Sequence, residues 1–92
     1  MKKIWKFQIQ LVDFFSIENM PEGAEILTVQ CQHGVPHIWA LCDPNQAPKI
    51  RYFRLVRTGH EIAESSMPQY LGSFQLANGR LVFHLFEIPS LQ

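Results

Sequence analysis

The dipeptide Asn78-Gly79, which lies between two runs of alternating polar and apolar residues, constrains the fold of this chain more than any other feature. A type I′ turn requires positive φ at both central residues. Asparagine tolerates this conformation, glycine adopts it freely, and the twist of the turn matches that of two paired strands. The sequence therefore predicts a β-hairpin over residues 69–87. Its register pairs Phe74 with Phe83, Leu76 with Leu81, Gly72 with Leu85, Ser73 with His84 and Gln75 with Val82.

The same register places an apolar pair at the far end of this hairpin. Leu71 falls opposite Phe86, on the face that also carries His84. One face of the hairpin is thus apolar along its length, whereas the other is polar near the turn and apolar at the far end. We therefore expect Leu71 and Phe86 to contact a second layer of the protein or a neighbouring subunit.

Four other stretches alternate with the two-residue period of a strand that is buried on one side. They cover residues 5–11, 25–32, 35–43 and 50–57. His33-Gly34 separates the second stretch from the third and is predicted to form another two-residue turn. The sequence therefore predicts a second hairpin.

The turn at His33-Gly34 fixes which side chains of the second hairpin share a face. The predicted core face carries Leu27, Val29 and Cys31, with Leu27 opposite Ala40 and Val29 opposite Ile38. The opposite face carries Ile26, Trp39 and Leu41, with Ile26 opposite Leu41 and Thr28 opposite Trp39. This second face is apolar enough to take part in an interface.

The segments between these strands are predicted to be loops. Residues 14–20 hold four apolar side chains without a regular period, which indicates a loop or one short helical turn. Residues 43–48 contain two prolines, which disfavour regular structure. Residues 58–68 form the second long loop, with a helical turn predicted around Ile62 to Ser66.

Short strands separated by turns are typical of all-β proteins. The chain has 92 residues, which is enough for one hydrophobic core. We predict a single β domain over residues 1–92. Its fold is expected to be a small antiparallel sandwich or a partly open barrel of about six strands, with two tight hairpins and little or no helix.

The charge composition limits the classes of partner. Charged residues make up only 17% of the chain, and the formal net charge is zero. Binding to a nucleic-acid backbone requires several cations on one face, so nucleic acid is not an expected partner. A surface with few charges favours self-association instead. The residues expected at such an interface are Ile26, Trp39, Leu41, Leu71 and Phe86.

Some titratable residues have spacings that resemble those of metal or catalytic sites. Cys31, His33 and His37 have spacings seen in metal sites, but zinc sites usually need four convergent ligands, so no metal or other cofactor is expected. Ser73 and His84 are predicted neighbours that lack a visible third group and oxyanion donors. We interpret this pair as an ordinary cross-strand contact and expect no enzymatic activity.

A ligand site can be placed at the segment Arg57-Thr58-Gly59-His60. Cations beside a glycine at a strand end permit an anion-binding nest of backbone N–H groups. Arg57 and His60 would hold a phosphate group, and Trp39 or Tyr52 would stack on a base. A turn with solvated charges explains the same residues without a ligand.

The N-terminal residues do not read as a signal peptide, because Lys6, Gln8 and Gln10 interrupt the apolar run. No stretch is long and apolar enough to predict a membrane span. Without an export signal, the two cysteines, Cys31 and Cys42, are expected to stay reduced. The strand register also places them too far apart for a disulfide. We expect a cytoplasmic protein.

Several fragments occur in an order that resembles a family of small uncharacterised proteins of bacteriophages and prophages. They are residues 1–7, 20–24, 34–41, 58–60 and 79–84. The resemblance implies a small cytosolic accessory protein, and it transfers no activity and no functional residue. Our leading hypothesis is a non-enzymatic accessory protein that acts as a protein-interaction module and forms homo-oligomers. The alternative is a nucleotide-binding sponge that sequesters a host signalling nucleotide.

Overall fold

The computed structural model describes residues 1–62 and 69–89, and seven β-strands lie within these ranges. The strands are β1 (Lys3–Gln8), β2 (Phe14–Pro21), β3 (Glu25–Gln32), β4 (Val35–Cys42), β5 (Pro48–Arg57), β6 (Gln69–Leu76) and β7 (Leu81–Ile88). The helical turn predicted around Ile62 to Ser66 lies outside the described residues, apart from Ile62 itself.

The strands form two antiparallel sheets. The three-stranded sheet has the order β1-β4-β3, and the four-stranded sheet has the order β2-β5-β7-β6. The predicted all-β class is confirmed, with seven strands instead of six. The two sheets do not close into a barrel.

One hydrophobic core joins the two sheets. Phe53 of β5 and Leu85 of β7 are fully buried, and so is Ile38 of β4 in the other sheet. The rings of Phe15 and Phe53 stack with centroids 5.4 Å apart. Because both sheets contribute to a single cluster of buried residues, the outer face of each sheet is left for solvent or for partners.

The hairpin around Asn78-Gly79 forms with the predicted register. The backbone has φ of 55° at Asn78 and 86° at Gly79, and the Arg80 N–H donates to the carbonyl oxygen of Ala77 at 3.1 Å. All the predicted pairs from Leu76–Leu81 to Gly72–Leu85 are present. Ala77 also has a positive φ, 53°, which the sequence did not indicate.

The second hairpin is also confirmed at its turn. His33 and Gly34 have φ of 51° and 77°, and Val29 lies opposite Ile38 as predicted. A β-bulge between Ile26 and Thr28 changes the register beyond that point. Ile26 pairs with Ala40 and packs against the core, so its predicted place beside Leu41 on the outer face is wrong.

The same bulge removes Leu27 from the predicted core face. Leu27 is 46% exposed and is the extra residue of β3. A slip of one residue exchanges the two faces of a strand, which is why Ile26 is the residue that packs against the core. The predicted pair of Leu27 with Ala40 is therefore wrong.

A bulge between Tyr70 and Gly72 changes the pairing register at the far end of the other hairpin. Tyr70, not Leu71, lies opposite Phe86, and Leu71 packs against the core. The predicted Leu71–Phe86 pair is wrong because a local insertion cannot be read from alternation alone. Tyr70 is 53% exposed and takes the position that had been given to Leu71.

The loop predicted over residues 14–20 is wrong, because this segment forms β2. Phe15, Ile17 and Met20 are buried, and a bulge between Ile17 and Met20 makes their spacing two and then three residues. A strand with such a break shows no regular two-residue period. The first strand is also shorter than predicted and ends at Gln8, with Leu11 exposed.

All four edge strands carry features that disfavour pairing with another chain. The bulges lie in β2, β3 and β6, and each of these strands is at a sheet edge. The remaining edge strand, β1, carries Lys3 and Lys6. Bulges and edge lysines both oppose edge-to-edge sheet extension. These features favour association through the face of a sheet over association through a sheet edge.

Candidate interaction surface

The outer face of the four-stranded sheet carries a row of large side chains, one from each strand. Phe14 of β2 pairs with Arg54 of β5, Arg54 pairs with Phe86 of β7, and Phe86 pairs with Tyr70 of β6. We call these four residues the aromatic row. Their neighbours in sequence, such as Phe15 and Phe53, point into the core, because side chains alternate between the faces of a strand.

Aromatic contacts hold the side chains of the aromatic row in place. The rings of Tyr70 and Phe86 meet edge to face, with centroids 5.2 Å apart. The guanidinium carbon of Arg54 lies 5.1 Å from the centroid of the Phe14 ring. Both geometries are attractive, since ring edges and cations are drawn to the face of a π-system.

Arg54 is a half-buried cation with little compensation within the chain. Within residues 1–62 and 69–89, its buried Nε atom has no hydrogen-bond partner and no carboxylate forms an ion pair with it. Burying a charged group is costly unless it is paired. The contact with Phe14 offsets only part of this cost.

The next positions along the same face are also apolar. Ile50 and Tyr52 of β5 are 45% and 47% exposed, Phe14 is 61% exposed, and Ile88 of β7 pairs with Tyr52. Together with the aromatic row they form what we call the apolar face. Exposed apolar area of this kind is characteristic of interaction sites.

His84 connects the apolar face to the turn after β5. Its Nε2 atom lies 2.7 Å from the hydroxyl of Thr58, and its Nδ1 atom lies 3.0 Å from the hydroxyl of Tyr70. Ser73 is its cross-strand neighbour, as predicted, but the ring bonds to the other two side chains. Both ring nitrogens are thus engaged, so His84 fixes Tyr70 within the aromatic row.

The outer face of the three-stranded sheet carries two of the predicted interface residues. Trp39 and Leu41 lie there as predicted, and both are half-buried. The Nζ atom of Lys6 lies 6.0 Å from the Trp39 ring and hydrogen-bonds the side chain of Gln32. The Trp39 Nε1 atom is buried and has no hydrogen-bond partner in the part of the chain that the structure describes. Lys6 therefore covers the tryptophan that was predicted to stack on a base or to join an interface.

The structure divides the residues predicted to bind a ligand among three depressions. Arg57 and His60 line one of about 190 Å³, together with Arg54. Tyr52 lines a second, and Trp39 lines a third. Arg57 and His60 are brought together, whereas neither aromatic residue lies beside them.

The backbone around Gly59 is partly committed to internal hydrogen bonds. The Thr58 N–H donates to the carbonyl oxygen of Val82 at 3.0 Å, and the His60 N–H donates to that of Arg57 at 3.1 Å. An anion nest needs successive N–H groups that point outward. These two bonds remove two of the donors on which the predicted nest depends.

The cysteines occupy different environments. Cys42 is fully buried, and desolvation by burial raises the pKa of its thiol, against smaller lowering effects of a backbone hydrogen bond at Trp5 and the charge of Arg51. Cys31 is half-buried, and both cysteines are free. Within residues 1–62 and 69–89, no three His, Cys, Asp or Glu side chains converge as metal ligands.

The predicted interface residues are likewise separated. Ile26 and Leu71 pack against the core, Trp39 and Leu41 lie on the three-stranded sheet, and Phe86 lies on the four-stranded sheet. Sequence reasoning missed Phe14 and Tyr70. Phe14 was assigned to a loop, and the bulge in β6 concealed the position of Tyr70. The signal available in the sequence was the small share of charged residues, 17%, which implies that some aromatic side chains are exposed.

No helix in the part of the chain that the structure describes is long and apolar enough to cross a membrane. No curated protein and no solved structure matches the chain. One family model, described as "Domain of unknown function (DUF7352)", matches residues 1–92. Because this match covers the whole sequence, the chain belongs to the DUF7352 family.

Proposed function

We propose that this protein is a non-enzymatic protein-interaction module that forms homo-oligomers. The observation that carries the proposal is the apolar face, where exposed aromatic side chains surround a half-buried arginine that has no ion-pair partner among the described residues. Interfaces are enriched in aromatic residues and arginine relative to the rest of the surface. Burying this face against another protein removes apolar area from water and supplies a partner for Arg54.

Self-association is also favoured by the charge of the chain. The formal net charge is zero, so two copies experience little long-range repulsion. The blunted sheet edges oppose assembly by strand addition. A face-to-face contact between sheets buries the side chains that the monomer leaves exposed.

Tyr52→Asp is expected to abolish self-association, because it places a carboxylate in the middle of the apolar face. Size-exclusion chromatography with light scattering measures the outcome as molar mass. The matched control is Leu27→Asp, since Leu27 and Tyr52 are 46% and 47% exposed but lie on different sheets. The control should keep the wild-type mass. A wild-type protein that stays monomeric at about 100 μM would reject homo-oligomer formation.

The biological setting belongs to the same proposal. The order of sequence fragments resembles small phage and prophage proteins, so we propose an accessory role in a phage or prophage, carried out in the cytoplasm by binding a host or phage protein. The two free cysteines are compatible with a reducing compartment. Affinity capture from host lysate, with Tyr52→Asp as the comparison bait, tests whether the apolar face holds such a partner.

A nucleotide-binding sponge is the second candidate function. It is favoured by the convergence of Arg54, Arg57 and His60 on one depression. Asp13 and Glu61 line the same depression and reduce its attraction for phosphate.

If the protein is a sponge, calorimetric titration with linear and cyclic nucleotides should give micromolar or tighter binding. Arg57→Ala should then weaken that binding about tenfold or more, because a charge-assisted contact to phosphate is lost. Arg80→Ala is the matched control, since Arg80 is exposed in the β6–β7 turn and does not line this depression. No heat change at high micromolar nucleotide would reject this function.

A further inference from the structure

We infer that the apolar face docks on the same face of a second copy about a two-fold axis, which pairs Arg54 of each copy with Glu18 of the other. The axis runs along the cross-strand row formed by Ser16, Tyr52 and Ile88. This inference rests on the proposed self-association and specifies its geometry. Two features of the four-stranded sheet, and the symmetry that relates them, support this geometry.

The position of the Arg54 guanidinium is the first feature. Arg54 belongs to β5, but its guanidinium carbon lies over the ring of Phe14 in the neighbouring edge strand β2. The cation is thereby offered to a partner above β2. A carboxylate placed there would form the ion pair that the described part of the chain does not supply.

The position of Glu18 is the second feature. Glu18 is exposed, follows the buried Ile17 on β2, and forms no ion pair within the described residues. It lies in the bulge between Ile17 and Met20, both of which are buried, so its exposed side chain lies on the outer face with Phe14 and Ser16. It lies four residues beyond Phe14, which corresponds to about 13 Å along the strand.

Two-fold symmetry relates these positions. An axis that lies in the interface and crosses β2 at Ser16 superimposes Phe14 of one copy on Glu18 of the other, because Ser16 is midway between them. The guanidinium held over Phe14 then faces the carboxylate of the second copy. Since a two-fold interface is isologous, the contact occurs twice.

Apart from Ser16, the side chains along the axis are aromatic or aliphatic. Tyr52 lies on the axis and meets Tyr52 of the second copy, while Ile50 meets the aromatic row. Apolar surroundings strengthen a charge pair that is well formed and penalise a charge left alone. An axis through the aromatic row is disfavoured, because it would set the two Arg54 side chains against each other.

Charge exchange tests this geometry in the full chain. Arg54→Glu and Glu18→Arg are each expected to raise the dimer dissociation constant about 30-fold or more, because each variant faces two like-charge contacts in its own homodimer. An equimolar mixture of the two variants should form a heterodimer with an affinity within about threefold of wild type. Sedimentation equilibrium measures the affinities, and native mass spectrometry identifies the heterodimer.

Two controls separate the possible outcomes. Arg80→Glu makes the same charge change in the exposed β6–β7 turn, away from the proposed contact, and should leave the dissociation constant unchanged. Circular dichroism of each variant verifies that it is folded. A wild-type dimer whose two charge variants fail to form a heterodimer would overturn this pairing while leaving self-association intact. A wild-type monomer would overturn both.

Discussion

Phe53→Ala is expected to lower the free energy of unfolding by about 3–5 kcal/mol. Phe53 is fully buried in β5, the strand that pairs with both β2 and β7. Its ring stacks on Phe15 across the β2–β5 pair. Truncation removes apolar contacts and leaves a cavity that the neighbouring strands can fill only in part. Urea denaturation followed by fluorescence and circular dichroism measures the change.

Phe14→Ala is the matched control for Phe53, since the two phenylalanines belong to adjacent strands but face opposite ways. Phe14 is 61% exposed, so its truncation in the monomer should cost less than about 1 kcal/mol. Equal losses for the two variants would mean that the assignment of inner and outer faces is wrong. Measuring both at a concentration that keeps the protein monomeric removes the contribution of association.

Arg51→Ala is expected to lower the free energy of unfolding by about 3 kcal/mol. The guanidinium of Arg51 donates to both carboxylate oxygens of Glu87, at 2.6 and 2.7 Å, and to the carbonyl oxygen of Ala24 at 2.6 Å. The side chains of Arg51 and Glu87 are 20% and 17% exposed, so the pair is largely shielded from water. Loss of the guanidinium leaves the Glu87 carboxylate and the Ala24 carbonyl oxygen without this hydrogen-bond donor.

Two further variants distinguish the ion pair from simple packing. Arg57→Ala removes an exposed arginine from the same strand and should cost less than about 0.5 kcal/mol. The double variant Arg51→Met with Glu87→Leu replaces both charges and should recover most of the stability, because no uncompensated charge remains. If Arg51→Ala has no larger effect than Arg57→Ala, the bidentate contact does not stabilise the fold. Chemical denaturation of all the variants under one buffer gives the comparison.

The sequence predicted those parts of the fold in which local rules act without interruption. Asn78-Gly79 and His33-Gly34 adopt the positive φ values that their residue types favour, and the pairs next to each turn follow directly. The fold class follows from the same strands. The predictions lose accuracy with distance from each turn, because a bulge shifts every later pair by one residue.

The apolar face was harder to predict than the fold. Phe14 lies in a strand whose bulge interrupts the two-residue period, and Tyr70 gained its position from another bulge. Tyr52 is a predicted ligand-binding residue, but its neighbours on the apolar face belong to strands that are distant in sequence. Which residues share a face of a four-stranded sheet depends on the strand order, and alternation within single strands does not contain that order.

The strand order also determines when each sheet can form during synthesis. The three-stranded sheet contains only β1, β3 and β4, so all of its strands have been synthesised once the chain reaches residue 42. The four-stranded sheet needs β7, and without it β6 has no strand beside it and the aromatic row is divided. We therefore expect the proposed interaction surface to be the last part of the molecule to mature, which would delay any association until the chain has folded.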